Sequence, residues 1–212
     1  MKDIEIRNVT VTDIPQLFKI CLKTGDNGKD ATSNFNDPYI LGHYYAAPYA
    51  LFAAETSYVA IDDSTGLPEG YILGCTDTFR FNEQRRIYLK SLEKYVCENK
   101  DNKSESEANI KATIASDIKK TTEKKEYNSE DEEYWINEYP AHLHIDLLPV
   151  LQGCGMGHKM MQTFLNNLRN LGVKGVHLGV GGENKPACAF YEREGFSILK
   201  QVDWGFWLGM KL

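Results

Sequence analysis

Apolar positions along the chain switch between two periods, and the switches delimit its elements. Ile4 to Val9 (IEIRNV) alternates apolar and polar residues and predicts a strand. Ile14, Leu17, Phe18, Cys21 and Leu22 then recur at helical spacing, with Thr12 as N-cap and Gly25 as stop. A polar stretch, GDNGKDATSNFNDP, leads into a tyrosine-rich segment, Tyr39 to Tyr49, predicted as a second short helix. The β-branched runs Ser57 to Asp62 and Gly70 to Thr78 flank DDSTGLPEG and predict a hairpin. Ile87, Tyr88, Leu89, Leu92, Tyr95 and Val96 predict an amphipathic helix.

Residues 99–133 break this pattern. They hold 7 lysines and 10 acids, a net of −3, with seven apolar or aromatic residues, and predict a charged, solvated, mobile insertion. Ile110, Ile114 and Ile118, four apart, support at most a thin helix there. Periodicity resumes with a strand at Ala141 to Leu148 (AHLHIDLL) and a glycine-rich turn (LQGCGMG). A helix follows from His158 to Leu171, closed by Gly172, and then a strand at Gly175 to Val180. Asn184 to Glu194 predicts a helix with Pro186 in its first turn and Gly195 at its end. Phe196 to Val202 and Phe206 to Lys211 close the chain as antiparallel strands. The resulting order, β–α–α–β–β–(α, insertion)–β–α–β–α–β–β, predicts one α/β domain over 1–212, a mixed sheet with helices on both sides.

Composition narrows the function classes. The 212 residues are 42% hydrophobic and carry a net charge of −6, which argues against a nucleic-acid partner. No apolar run reaches the roughly 18–20 residues that span a bilayer. The start, MKDIEIRNVTVTD, lacks the apolar core of a secretory signal. Five scattered cysteines without a CxxC pair fit reduced thiols, so the expected setting is the cytoplasm or nucleus.

Chemistry concentrates at Gln152-Gly153-Cys154-Gly155-Met156-Gly157, between a strand and a helix. Three glycines let the backbone approach a ligand closely, and the first N–H groups of the helix face an anion at the positive end of its dipole. The dipole contributes about 0.3–1 kcal/mol. A Walker loop is excluded, because His158-Lys159-Met160 stands where Gly-Lys-Ser/Thr would; a dinucleotide fingerprint lacks its third glycine. On Ala141 to Leu148, period two puts His142, His144 and Asp146 on one face and Leu143, Ile145 and Leu147 on the other. Asp146 and His144 are therefore candidate bases, with a buried pair that fixes the strand as the alternative. His-x-His-x-Asp also occurs in metallo-β-lactamase-type hydrolases. Leu147 here replaces their following His, so no metal is expected.

Gln-x-x-Gly-x-Gly after a strand, followed by Asn184 and Phe190-Tyr191-Glu192-Arg193-Glu194-Gly195-Phe196, resembles the GNAT superfamily of acetyl-CoA-dependent N-acetyltransferases. The wording PAHLHIDLLP, GVHLGVG and GDxGxDAT…DPxxLGHxYAAPY is similar to a subgroup of it, bacterial acetyltransferases and the acetyltransferase-like domain of animal O-GlcNAcases. The resemblance implies the GNAT fold and acetyl-CoA as donor. It implies that the backbone of Ile145, Leu147 and Leu148 meets the pantetheine arm. Residues Gln152, Gly153, Cys154, Gly155, Met156 and Gly157 would hold the pyrophosphate, with Asn184 and Ala187 at the arm. Tyr191 matches the tyrosine that protonates the departing thiolate, and Asn184 equally suits a helix N-cap. The histidine pair is similar to one in aralkylamine acetyltransferases, but stands one residue out of register when counted back from Gln152.

For the acceptor, Asp26, Asp30 and Asp37 with Tyr44, Tyr45 and Tyr49 suggest an acidic, aromatic pocket for an ammonium group, with a solvated loop and a half-buried aromatic face as the alternative. The expected activity is direct acetyl transfer to a primary amine, on a small molecule or a protein, by a monomer or homodimer. The rival expectations are a non-catalytic acyl-CoA-binding module and a nucleotide-phosphate binder.

Overall fold

The computed structural model describes residues 4–98, 101–119 and 134–212. Strand β1 (Ile4–Asn8) is followed by helix α1 (Ile14–Thr24), the short helices α2 (Ile40–Tyr45) and α3 (Ala47–Phe52), and strands β2 (Tyr58–Asp62) and β3 (Leu67–Cys75). Three helices come next: α4 (Thr78–Ser91), α5 (Glu93–Glu98) and α6 (Glu105–Lys119). The chain ends with β4 (Ala141–Leu147), α7 (Met156–Asn170), β5 (Gly175–Gly181), α8 (Lys185–Glu194), β6 (Ser197–Val202) and β7 (Gly205–Lys211).

The strands form one sheet in the order β1-β2-β3-β4-β5-β7-β6. Only β4 and β5 run parallel, and they pair through just two residues each, Ala141 with Val176 and His142 with His177. Beyond that point the two strands part, and the β5-facing edge of β4 is left unpaired. This gap at the centre of the sheet positions the site.

Each face of the sheet carries its own core. On one face Leu143, Ile145 and Leu147 pack with Met160, Met161, Phe164, Leu165 and Leu168 of α7. On the other, Tyr71, Leu73 and Cys75 of β3 join Leu17 and Cys21 of α1, Tyr44 of α2 and Tyr49 of α3. The register pairs those β3 residues with Asp146, His144 and His142, so the polar face of β4 points toward α1–α4.

Several boundaries differ from the sequence expectations for local reasons. Asp13, not Thr12, precedes α1, after Thr10 and Asp13 cap each other reciprocally. The tyrosine-rich helix is two, broken at Ala46, with Pro48 in the first turn of the second. The amphipathic helix sought from Ile87 begins at Thr78, where Asp77 accepts the N–H of Arg80 at 3.0 Å, and Ile87 lies on its exposed side.

The expectation of a solvated insertion is corrected for residues 105–119. They form α6, and Ile110, Ile114 and Ile118 are buried in the core shared with α1–α4. Its charged residues are used in docking. Glu107, fully buried, accepts the N–H groups of Asn36, Asp37 and Lys103 at 3.0, 3.1 and 2.8 Å. Residues 99–100 and 120–133 of that expectation lie outside the described residues. Ile114→Ala is expected to cost about 2–5 kcal/mol, read from the urea midpoint; a helix lying free in solvent would lose almost nothing.

Candidate active site

A cleft of about 1080 Å³ opens where β4 and β5 part, between the start of α7, the start of α8 and the turn after α1. Gly153 and Gly155 take φ of +71° and +81°, values a side chain rarely allows, and so swing the chain from β4 into α7. Gly155 is the N-cap residue, and no side chain caps this helix. The first N–H groups of α7 therefore lack a side-chain acceptor, which suits an anion at the cleft. Together with the unpaired edge of β4, this is a cradle that fits a coenzyme A diphosphate and its amide-bearing arm.

The other sequence-marked residues of the turn are placed differently. The Gln152 side-chain amide donates to the Leu147 carbonyl at 2.7 Å, so it braces the turn and is not free at the rim. The Cys154 thiol donates to Leu151 O at 3.1 Å. Leu148 is nearly buried, and its N–H is spent on Glu69 of β3. Asn184 caps α8, its Oδ1 accepting the Ala187 N–H at 3.2 Å, while the residue also lines the cleft. Both alternatives for Asn184 are thus compatible in one position.

Tyr191 and Asp146 line the same cleft from opposite sides of the gap. Tyr191 packs its ring between Phe190 and Phe196 at 5.4 and 5.7 Å. Burial, then the charges of Asp146 and Cys188, push its hydroxyl well above the ordinary tyrosine range. Burial also pushes the Asp146 carboxyl up, against the pull of the Tyr71 and Thr24 hydroxyls. Tyr71, itself fully buried, donates to Asp146 Oδ2 at 2.7 Å.

The two histidines of β4 are unlike. His142 is fully used: Thr78 Oγ1 lies 2.7 Å from its Nδ1 and also donates to Pro140 O at 2.7 Å. Nδ1 must then be the donor, and Nε2 accepts from Tyr49 at 2.6 Å, which fixes a neutral ring. The ring of His144, two residues on, makes ring contacts alone among the described residues, with Tyr45 and Tyr49 at 5.5 and 5.7 Å and His142 at 6.4 Å. Burial first, then Arg85 and His177, push it down to about 4. Among the described residues, no group of three or more His, Cys, Asp or Glu is placed to hold a metal ion.

Of the residues marked for the acceptor, Asp26 lines the cleft and Tyr45 stands beside His144. Asp30 faces solvent, paired with Lys23 at 2.7 Å and Thr32, and Asp37 accepts from Tyr95 at 2.6 Å, outside the cleft. Asn27-Gly28 also line the cleft, without having been marked by the sequence. With φ of +50° and +86° these form a tight turn between Asp26 and Lys29 that packs on Gly181 and Asn184. An Asn-Gly pair is a recognised turn signal, but it was submerged in a polar stretch. Thr24, Tyr71 and Arg85 carried no signal, because each depends on a neighbour far away in the chain.

A family model for the acetyltransferase (GNAT) family matches residues 122–196. The crystal structure of SsHAT superposes with a TM-score of 0.82 at 31% identity, over 99% of this chain and 98% of that one. Drosophila melanogaster polyamine N-acetyltransferase, which forms N-acetylagmatine, gives 0.58 at 14% identity, over 99% and 100% of the two chains. PaiA N-acetyltransferase from Thermoplasma acidophilum, solved with coenzyme A, gives 0.56 at 12%, over 99% of both. The last two share the fold alone. By the matched segment, and by a likeness to SsHAT that runs almost end to end, this chain belongs to the acetyltransferase (GNAT) family.

Proposed function

We propose that the protein transfers an acetyl group from acetyl-CoA directly to a primary amine. The observation that carries this reading is the pair Asp146 and Tyr191, which share one cleft with an uncapped helix N-terminus. Acetyl-CoA supplies an acyl carbon with a thiolate leaving group; the chain's own residues supply placement and proton transfer. The amides that open α7 hold the diphosphate, and the free edge of β4 aligns the arm at Ile145, next to the Leu147 carbonyl that Gln152 occupies. Holding both reactants in one cleft can replace about 7–11 kcal/mol of the barrier.

Asp146 receives the amine's proton. An amine nitrogen becomes more acidic as it bonds to the acyl carbon, so a carboxylate with a raised pKa is basic enough at that moment. Tyr191 keeps its proton across the physiological range and donates it at the departing sulfur, leaving an amide and a free thiol. Calorimetry with CoA and acetyl-CoA, followed by thiol release against an amine panel, tests the reading. Binding of both with amine-dependent thiol release is expected. Binding without release from any amine would favour the rival, a CoA-binding module, and no binding at all would remove both.

A further inference from the structure

Resting on that reading of the cleft, we infer that the acceptor carries a carboxylate as well as its amine, received by Arg85, His144 and Tyr45 beside Asp146. The three residues lie on the α1–α4 side of β4, with Arg85 joined to the other two through Tyr44. The Arg85 guanidinium lies over the Tyr44 ring at 4.6 Å, Tyr44 meets Tyr45 at 4.7 Å, and Tyr45 meets His144 at 5.5 Å.

Polar groups at a half-buried site that lack protein partners are open to a ligand's. Among the described residues Arg85 makes one hydrogen bond with its five N–H groups, to Asp117 at a long 3.2 Å, and its buried Nε has no partner. His144 offers both ring nitrogens and Tyr45 its hydroxyl, and none of these is hydrogen-bonded among the described residues. Both residues are only partly buried, so solvent reaches them. Asp117, its ion-pair partner, also accepts from Tyr44 at 3.1 Å, and the contact engages one of the guanidinium's N–H groups and leaves the others to spare. A cation with spare donors, a neutral imidazole and a hydroxyl, on the side of β4 that carries Asp146, are the groups a carboxylate needs, and Arg matches that planar anion best.

The same cation disfavours a diamine, whose second ammonium would come to rest beside Arg85. Residues two apart on one strand face are about 7 Å apart. An amine at Asp146 and a carboxylate beyond His144 therefore suit about five intervening carbons.

The test compares 6-aminohexanoate, hexylamine and 1,6-diaminohexane, first by calorimetric binding to the protein and then as acceptors. The amino acid should bind, and show a KM, about tenfold or more better than hexylamine, with the diamine weakest. R85Q should abolish that preference and leave the Kd for acetyl-CoA unchanged, while R85K recovers part of it. Equal binding of all three, or a preference that survives in R85Q, overturns the inference. If R85Q does not fold, the ranking in the wild type decides. Failure to bind acetyl-CoA would remove the acetyl-transfer reading instead, and the ligand ranking, taken without it, still judges the recess.

Discussion

Tyr191→Phe should lower kcat by about 10²–10⁴-fold while leaving the KM for acetyl-CoA nearly unchanged. The ring is held by Phe190 and Phe196, and phenylalanine fills the same space, so fold and cleft persist. What is lost is the one O–H proposed to meet the negative charge that gathers on sulfur. A group that acts only in the transition state lowers kcat and kcat/KM together; one that merely binds the donor raises KM. Steady-state kinetics over a range of acetyl-CoA concentrations separates the two, and a KM that rises as far as kcat falls would strip Tyr191 of its proposed role. The chemistry also requires the hydroxyl to stay protonated, which burial and the nearby Asp146 charge ensure.

Much of this site could be read in the chain because it rests on local rules. Alternation along β4 fixed which residues share a face, since a strand offers only two, and the register with Tyr71, Leu73 and Cys75 bears that out. Gly153 and Gly155 were legible because positive φ admits few other residues. Asn184 was legible only as two options, a cap or a contact, and one side chain at the lip of the cleft is compatible with both.

What was illegible depends on distant partners. The charge of α6 suggested solvent, yet Glu107 is buried because backbone N–H groups 70 residues away and Lys103 satisfy it. A carboxylate that accepts several N–H bonds is tolerated inside a protein, and composition cannot reveal those bonds in advance. Arg85 is the same case. Its sequence neighbours gave a helix phase that looked only for apolar residues, whereas its place is set by Tyr44 from α2 and Asp117 from α6. The α6 that composition assigned to solvent therefore supplies the carboxylate that anchors Arg85.

Asp146→Asn should lower kcat by about 10²–10⁴-fold and make the protein at least as stable at neutral pH. The two signs share one cause. Burial raises the Asp146 pKa in the folded chain above its unfolded value, so the folded state holds this proton more tightly. Its contribution to stability is fully present below the unfolded pKa, near 3.9, and is lost as pH rises through the folded pKa; at neutral pH the carboxylate is a net cost. Asparagine keeps an oxygen to accept the Tyr71 hydroxyl and removes the buried charge. The stability advantage of D146N should therefore shrink as pH falls through the folded pKa. Activity runs the opposite way: the acid limb of kcat/KM in the wild type should lie above the ordinary carboxylate range and be absent from the residual rate of D146N. A destabilised D146N that retains kcat would make Asp146 a structural anchor for Tyr71, whereas a more stable and slower enzyme is what a residue kept for chemistry, at a cost in stability, must give.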